Sequence, residues 1–297
     1  MSSQYYEEDY RRITVSEKAY PRLPGTSVEI VRPLARRSPP QHVLFDFDGT
    51  LSLIREGWVD VMVPMMVEVL QATGTRETPE QLAALAKDFV TELTGKQTIY
   101  QMIRLAEEVR KRGGTPYEPV EYKRVYHERL MERIAGRREA LASGRASPRD
   151  MLVPFSLELL EELCRRGATL YLASGTDQQY VIEEARLLGL EAFFNHHIYG
   201  ALDDYKSFSK ARVIERILRE HGVEGDALVG FGDGYVEIQN IKAVGGVAVA
   251  VASDEAQRSG LPDPWKRDRL IGAGADLVIP DYRDYQALVT YLWGGGT

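Results

Sequence analysis

HVLFDFDGTL, residues 42–51, is the stretch on which the reading of this chain turns. A short apolar run stops at Asp46, and Gly49 follows three residues later, the pattern of a buried strand ending in a turn. Asp46 and Asp48 stand at that strand end with one residue between them. So placed, one carboxylate can be aimed at a metal and the other at a substrate. Taken alone, the same residues also suit a plain turn, because Asp and Gly favour turns.

From Glu56 to Pro148 the pattern becomes helical. VDVMVPMMVEVLQATG, PEQLAALAKDFVTELTG, TIYQMIRLAEEVRKRGG and VEYKRVYHERLMERIAG each carry an apolar stripe and close near a glycine. After SPRD a strand–helix alternation resumes. Helix 154–166 leads to ATLYLAS (168–174), helix QQYVIEEARLLG, a short strand HHIYG and helix SKARVIERILREHG. ALVGFGD (227–233), GVAVAVAS (246–253) and ADLVIP (275–280) follow as strands. Such alternation predicts a Rossmann-like parallel sheet with helices on both faces, interrupted by an all-α insertion. The predicted division is an N-terminal arm at 1–41, an α/β core at 42–55 and 149–297, and a helical cap at 56–148.

Ligands of open α/β sheets bind beyond the carboxyl ends of the strands, and the polar residues of interest fall there. Ser174, Gly175 and Thr176 follow LYLA, Asp233 follows VGFG, and Lys210 opens a helix. Asp46, Asp48 and Asp233 brought to one cleft would oppose each other's ionisation unless a cation offsets them. An all-oxygen site of this kind suits Mg²⁺, which would also neutralise an incoming phosphate. Ser174 or Thr176 could donate to phosphate oxygens, helped by N–H groups of the next helix. Ser174–Thr176 also reads as a helix cap with Asp177.

HVLFDFDGTL resembles the first motif of the haloacid dehalogenase superfamily, in its phosphatase branch. LASGT (172–176) resembles the second motif, and GFGDGYVEI (230–238) the fourth. The resemblance implies Asp46 as a nucleophile that forms an aspartyl-phosphate. It implies Asp48 as the acid that protonates the leaving alcohol and then activates water. Mg²⁺ would be held by the Asp46 carboxylate, the Asp48 main-chain carbonyl and Asp233, with Glu237 added directly or through water. Many relatives have Asp where this chain has Glu237. Ser174, with Gly175 and Thr176, would bind the phosphoryl group. The motif lysine is Lys210 or, as second choice, Lys206, four residues earlier in YKSFSK.

In such relatives an insertion between the first two motifs closes over the cleft, and a lid excludes water and adds substrate contacts. The loop in TELTGKQTIYQM (91–102) therefore offers Lys96 and Gln97 as substrate contacts, and Arg55 in the hinge could grip an anion. A lid also argues for a small phosphorylated metabolite, a sugar phosphate first, over a folded protein. A phosphomutase of the β-phosphoglucomutase type and a non-catalytic phosphometabolite-binding protein are the alternatives.

The rest of the sequence narrows the class. The net charge of −7 and pI near 5.4 count against nucleic acid as partner. Cys164 is the single cysteine, so an intramolecular disulfide is impossible; its amphipathic setting predicts a buried thiol. The N-terminus has no secretory apolar core and the longest apolar stretch, 58–70, is too short to span a bilayer, so a cytoplasmic protein without membrane contact is expected. Residues 1–41 read as an irregular arm whose tyrosines could support a homodimer.

Overall fold

The computed structural model describes residues 9–34, 39–202, 208–222 and 224–294. HVLF forms β2 (His42–Phe45), buried at every position as a strand covered on both faces must be. It lies inside a seven-stranded sheet with β1 (Glu29–Ile30), β3 (Thr169–Asp177), β4 (Ile198–Ala201), β5 (Leu228–Gly232), β6 (Val247–Val251) and β7 (Leu277–Ile279). The order is β1-β7-β6-β5-β2-β3-β4, parallel throughout except for β1 on β7. Strand order turns at β2, flanked by β3 and β5, so a crevice opens beyond its carboxyl end.

Side-chain alternation divides the core in two. Val43, Phe45, Leu172, Val229, Phe231 and Val249 face one layer, with α5 (Ser156–Arg165), α6 (Gln178–Leu187), α7 (Glu191–Phe194) and α11 (Tyr285–Leu292). Leu44, Tyr171, Ala248, Ala250 and Val278 face the other, covered by α8 (Lys210–His221), α9 (Tyr235–Ala243) and α10 (Pro264–Gly272). The parallel sheet with helices on both faces is thus as the sequence predicts.

Between β2 and β3 run α1 (Val59–Gln71), α2 (Pro79–Leu93), α3 (Thr98–Lys111) and α4 (Pro119–Ala142). Local signals start α2: Pro79 sits in its first turn, and the Thr78 hydroxyl accepts from Gln81 N–H while Gln81 accepts from Thr78 N–H. The predicted stop of the fourth helix at Gly136 is wrong, since α4 continues to Ala142. A glycine inside a helix costs about 1 kcal/mol, and Leu130, Ile134 and Leu141 remain buried along one face.

Two other expectations are corrected. The arm is not wholly irregular: Glu29 and Ile30 pair antiparallel with Val278 and Leu277, and Tyr10 packs edge-on to Tyr235 of its own chain. Cys164 is exposed, because Leu159, Leu160 and Leu163 already form the buried stripe of α5. No helix among the described residues is long and apolar enough to cross a membrane.

Candidate active site

The chain leaves β2 through Asp46, Phe47 and Asp48 and turns at Gly49, whose φ is +73°. A Cβ there would collide with the Asp233 carboxylate, so glycine serves both the turn and the approach of β5. Asp46 is buried. Its Oδ1 accepts from Phe47 N–H at 2.7 Å and lies 2.9 Å from Lys210 Nζ. Burial raises the Asp46 pKa; Lys210 pulls it down and Asp233 adds to the rise.

Asp48 sits differently. Its Oδ2 accepts from Thr176 Oγ1 at 2.8 Å, while Oδ1 is buried with no hydrogen-bond partner among the described residues and lies 3.8 Å from Arg55 Nε. Burial pushes its pKa up to about 7; Arg55 and the Thr176 bond oppose the rise, while Glu184 and Asp46 reinforce it. Both aspartates of the turn are thus raised by burial, Asp46 against the pull of Lys210 and Asp48 against that of Arg55.

Around them stand the other strand ends. Ser174 closes β3's buried portion, and its Oγ accepts from Thr176 N–H at 3.0 Å. Asp233 follows β5, with its N–H on Thr50 Oγ1 at 3.0 Å. Lys210 begins α8, where Ser209 caps the helix by accepting from Arg212 N–H. The Lys210 ammonium contacts both Asp46 and Glu237. Glu237, in the first turn of α9, is buried on that lysine and does not line the cleft. Lys206 lies outside the described residues.

The helical layer supplies the roof. Arg55, Trp58, Met62, Lys96, Gln101 and Tyr126 line the same cavity of about 120 Å³ as Asp46, Asp48, Ser174, Gly175, Thr176, Lys210 and Asp233. Its loop seats closely: Gly95 has φ +102°, and a Cβ there would stand 3.1 Å from Gly234 Cα. Arg55 lines the cavity, but its Nε and Nη2 donate to Glu184 at 3.0 and 2.9 Å. Lys96 Nζ lies 2.6 Å from Asp9 of the arm. The Gln97 amide donates to the Phe208 carbonyl at 3.0 Å, and Gln97 is not among the cavity's lining residues.

Four participants escaped the sequence reading. Glu184 shares the inward face of α6 with Val181 and Ala185; an acid on an apolar stripe was the available signal. Tyr126 lay hidden in the stripe of α4. Lys266 contacts Asp233 and Glu255, and Glu255 lines the cavity. The start of the helix that carries Lys266 has a signal in Asp263-Pro264, whose aspartate caps α10; the destination of the lysine has none.

A family model for haloacid dehalogenase-like hydrolases matches residues 40–245. Among solved structures, a haloacid dehalogenase-like protein from Agrobacterium tumefaciens is 17% identical with a TM-score of 0.53, over 84% of this chain and 98% of that one. One from Haemophilus somnus, described as a predicted phosphoglycolate phosphatase, is 16% identical with a TM-score of 0.53, covering 84% and 97%. A Bacteroides vulgatus protein, assigned by inference as a β-phosphoglucomutase, is 15% identical with a TM-score of 0.54, covering 88% and 91%. At such identities these structures speak for the fold. No curated protein matches the chain.

Proposed function

From the premise that this chain belongs to the haloacid dehalogenase-like hydrolase family, we propose that it hydrolyses the phosphoric monoester of a small metabolite, with Asp46 as nucleophile. The observation that carries this reading is the Asp46–Asp48 turn. One carboxylate is paired with Lys210; the other has a pKa pushed up to about 7, suited to giving and taking a proton near neutrality.

An Asp46 oxygen attacks phosphorus as the ester P–O bond breaks, and Asp48 delivers its proton to the departing alkoxide. This leaves an aspartyl-phosphate on Asp46 and an ionised Asp48. Asp48 then takes a proton from water, whose oxygen attacks phosphorus and returns Asp46 with inorganic phosphate. Ser174 Oγ, Thr176 and the Gly175 N–H are the donors for the phosphoryl oxygens, and Lys210 holds Asp46 in place. Helices α1–α4 belong to a cap of residues 56–148 that excludes bulk water from the cleft of a core built from 42–55 and 149–297.

A divalent cation fits this donor set. Among the described residues no group of three His, Cys, Asp or Glu side chains converges as a metal cage. Asp46, Asp233 and the Asp48 main-chain carbonyl nevertheless provide hard oxygen donors, few enough to leave room for water, as Mg²⁺ prefers. These groups would hold it, and Glu237 supports them through Lys210. When bound, the ion neutralises phosphate charge and steadies the charge that develops at phosphorus.

The cavity of about 120 Å³ favours a compact substrate, with sugar phosphates first. The test is phosphate release from a panel of phosphorylated sugars, acids and nucleotides with Mg²⁺. Activity should vanish on chelation and in Asp46→Asn; activity that survives in Asp46→Asn refutes the nucleophile. Rearranged phosphosugar formed without stoichiometric phosphate would mark a mutase.

A further inference from the structure

We infer that Lys266 is a positioning residue that keeps the cation centre built for one small divalent ion. The inference rests on the phosphatase reading above. Lys266 lies in the first turn of α10, and Asp263 caps that turn by accepting from the Lys266 N–H at 2.8 Å. Its ammonium is 2.8 Å from Asp233 Oδ2, 2.6 Å from Glu255 Oε1 and 3.1 Å from Ser253 Oγ. Ser253 in turn donates to the Gly49 carbonyl at 2.6 Å. An ammonium has three protons, and here each has an oxygen. With only 12% of the side chain exposed, water competes weakly for them.

The consequence concerns ligand number. Asp233 Oδ2 is taken by Lys266, whereas Oδ1 meets only the neutral Thr50 Oγ1 at 3.5 Å and is the oxygen without a charged partner to serve a cation. Glu255 lines the same cavity, yet the lysine holds its Oε1. Both carboxylates converge on the space beside Gly49, where a Cβ would meet Asp233 and Glu255 together. Without the ammonium, two further anionic oxygens would face that space. Mg²⁺ demands a compact octahedron with retained water, whereas Ca²⁺ accepts more oxygens and bidentate carboxylates. Lys266 therefore limits the centre to the smaller ion. The other buried cations of the cleft are tied elsewhere: Lys210 to Asp46 and Glu237, Arg55 to Glu184 and Lys96 to Asp9.

The experiment is titration calorimetry of the full chain with Mg²⁺ and with Ca²⁺, without substrate, for wild type, Lys266→Met, Lys266→Gln and Lys266→Met with Glu255→Gln. Lys266→Met should raise Ca²⁺ affinity relative to Mg²⁺ by about tenfold or more. Adding Glu255→Gln should remove most of that rise. Lys266→Gln retains a donor for Asp233 and should shift the ratio in the same direction by less, which preserves the test should Lys266→Met not fold. General structural damage weakens both ions together and leaves the ratio alone. A ratio unchanged in the folded Met and Gln variants overturns the inference while the phosphatase reading stands. Wild type that binds neither ion and releases no phosphate with Mg²⁺ defeats that reading, and the inference with it.

Discussion

Replacing Arg55 with methionine should destabilise the protein by about 3–5 kcal/mol, because it strands a buried carboxylate. Glu184 has no exposed side-chain surface, and Arg55 gives it hydrogen bonds at 3.0 and 2.9 Å. Removing one member of such a pair leaves the other's desolvation uncompensated. Each kcal/mol moves the melting temperature by roughly 2–4 °C in a chain of this size, so calorimetry should register a fall of about 10 °C. Arg55→Met with Glu184→Met replaces the pair by apolar side chains and should recover most of the loss. A double-mutant cycle from urea unfolding would measure the coupling. Arg55 also restrains the proton affinity of Asp48, so activity in Arg55→Met should require higher pH in the step where Asp48 acts as base. Losses below about 1 kcal/mol in Arg55→Met and Glu184→Gln, or no recovery in the double variant, would refute the reasoning.

The Asp48 pKa has its own stability signature in metal-free protein. A carboxyl raised from 3.8 to about 7 on folding gives stability that is complete below the unfolded value and disappears as pH rises through the folded one. Asp48→Asn should therefore gain on wild type between about pH 4 and 7 and hold that gain above, by about 2 kcal/mol after allowance for solvent at a partly exposed side chain; melting curves across pH in chelator check it, and a difference flat with pH would count against it. Gly95→Ala should cut kcat/KM by roughly tenfold to a hundredfold through misplacement of the roof, since φ +102° strains any side chain there and a Cβ 3.1 Å from Gly234 Cα would push the loop off that backbone. Steady-state kinetics on the best substrate of the panel decide that, and unchanged kcat/KM would show that the loop does not have to seat there.

Much of the fold was legible because it rests on short-range chemistry. HVLF had to be a buried strand, and Thr78-Pro79 starts a helix by signals within one turn. The cleft was legible because Asp46, Ser174 and Asp233 each terminate an apolar run, and parallel strands align such ends. What stayed hidden depends on partners far apart in the chain. Arg55 and Glu184 are 129 positions apart, and nothing near either names the other. β1 has two residues, too few to show a period. The fourth helix passes Gly136 because buried contacts outweigh a local preference, which a glycine read in isolation cannot show.

Those two residues of β1 matter out of proportion to their length. β7 reads LVI and is buried throughout; as a terminal strand it would offer unpaired N–H and C=O groups along an apolar ladder, a template on which another chain could add. By laying Glu29 and Ile30 antiparallel along it, and fastening Glu29 to Arg267 at 2.6 Å, the arm puts its own backbone in that position. The N-terminal segment thus covers the margin that β7 would otherwise leave open, on the opposite flank of the sheet from β4.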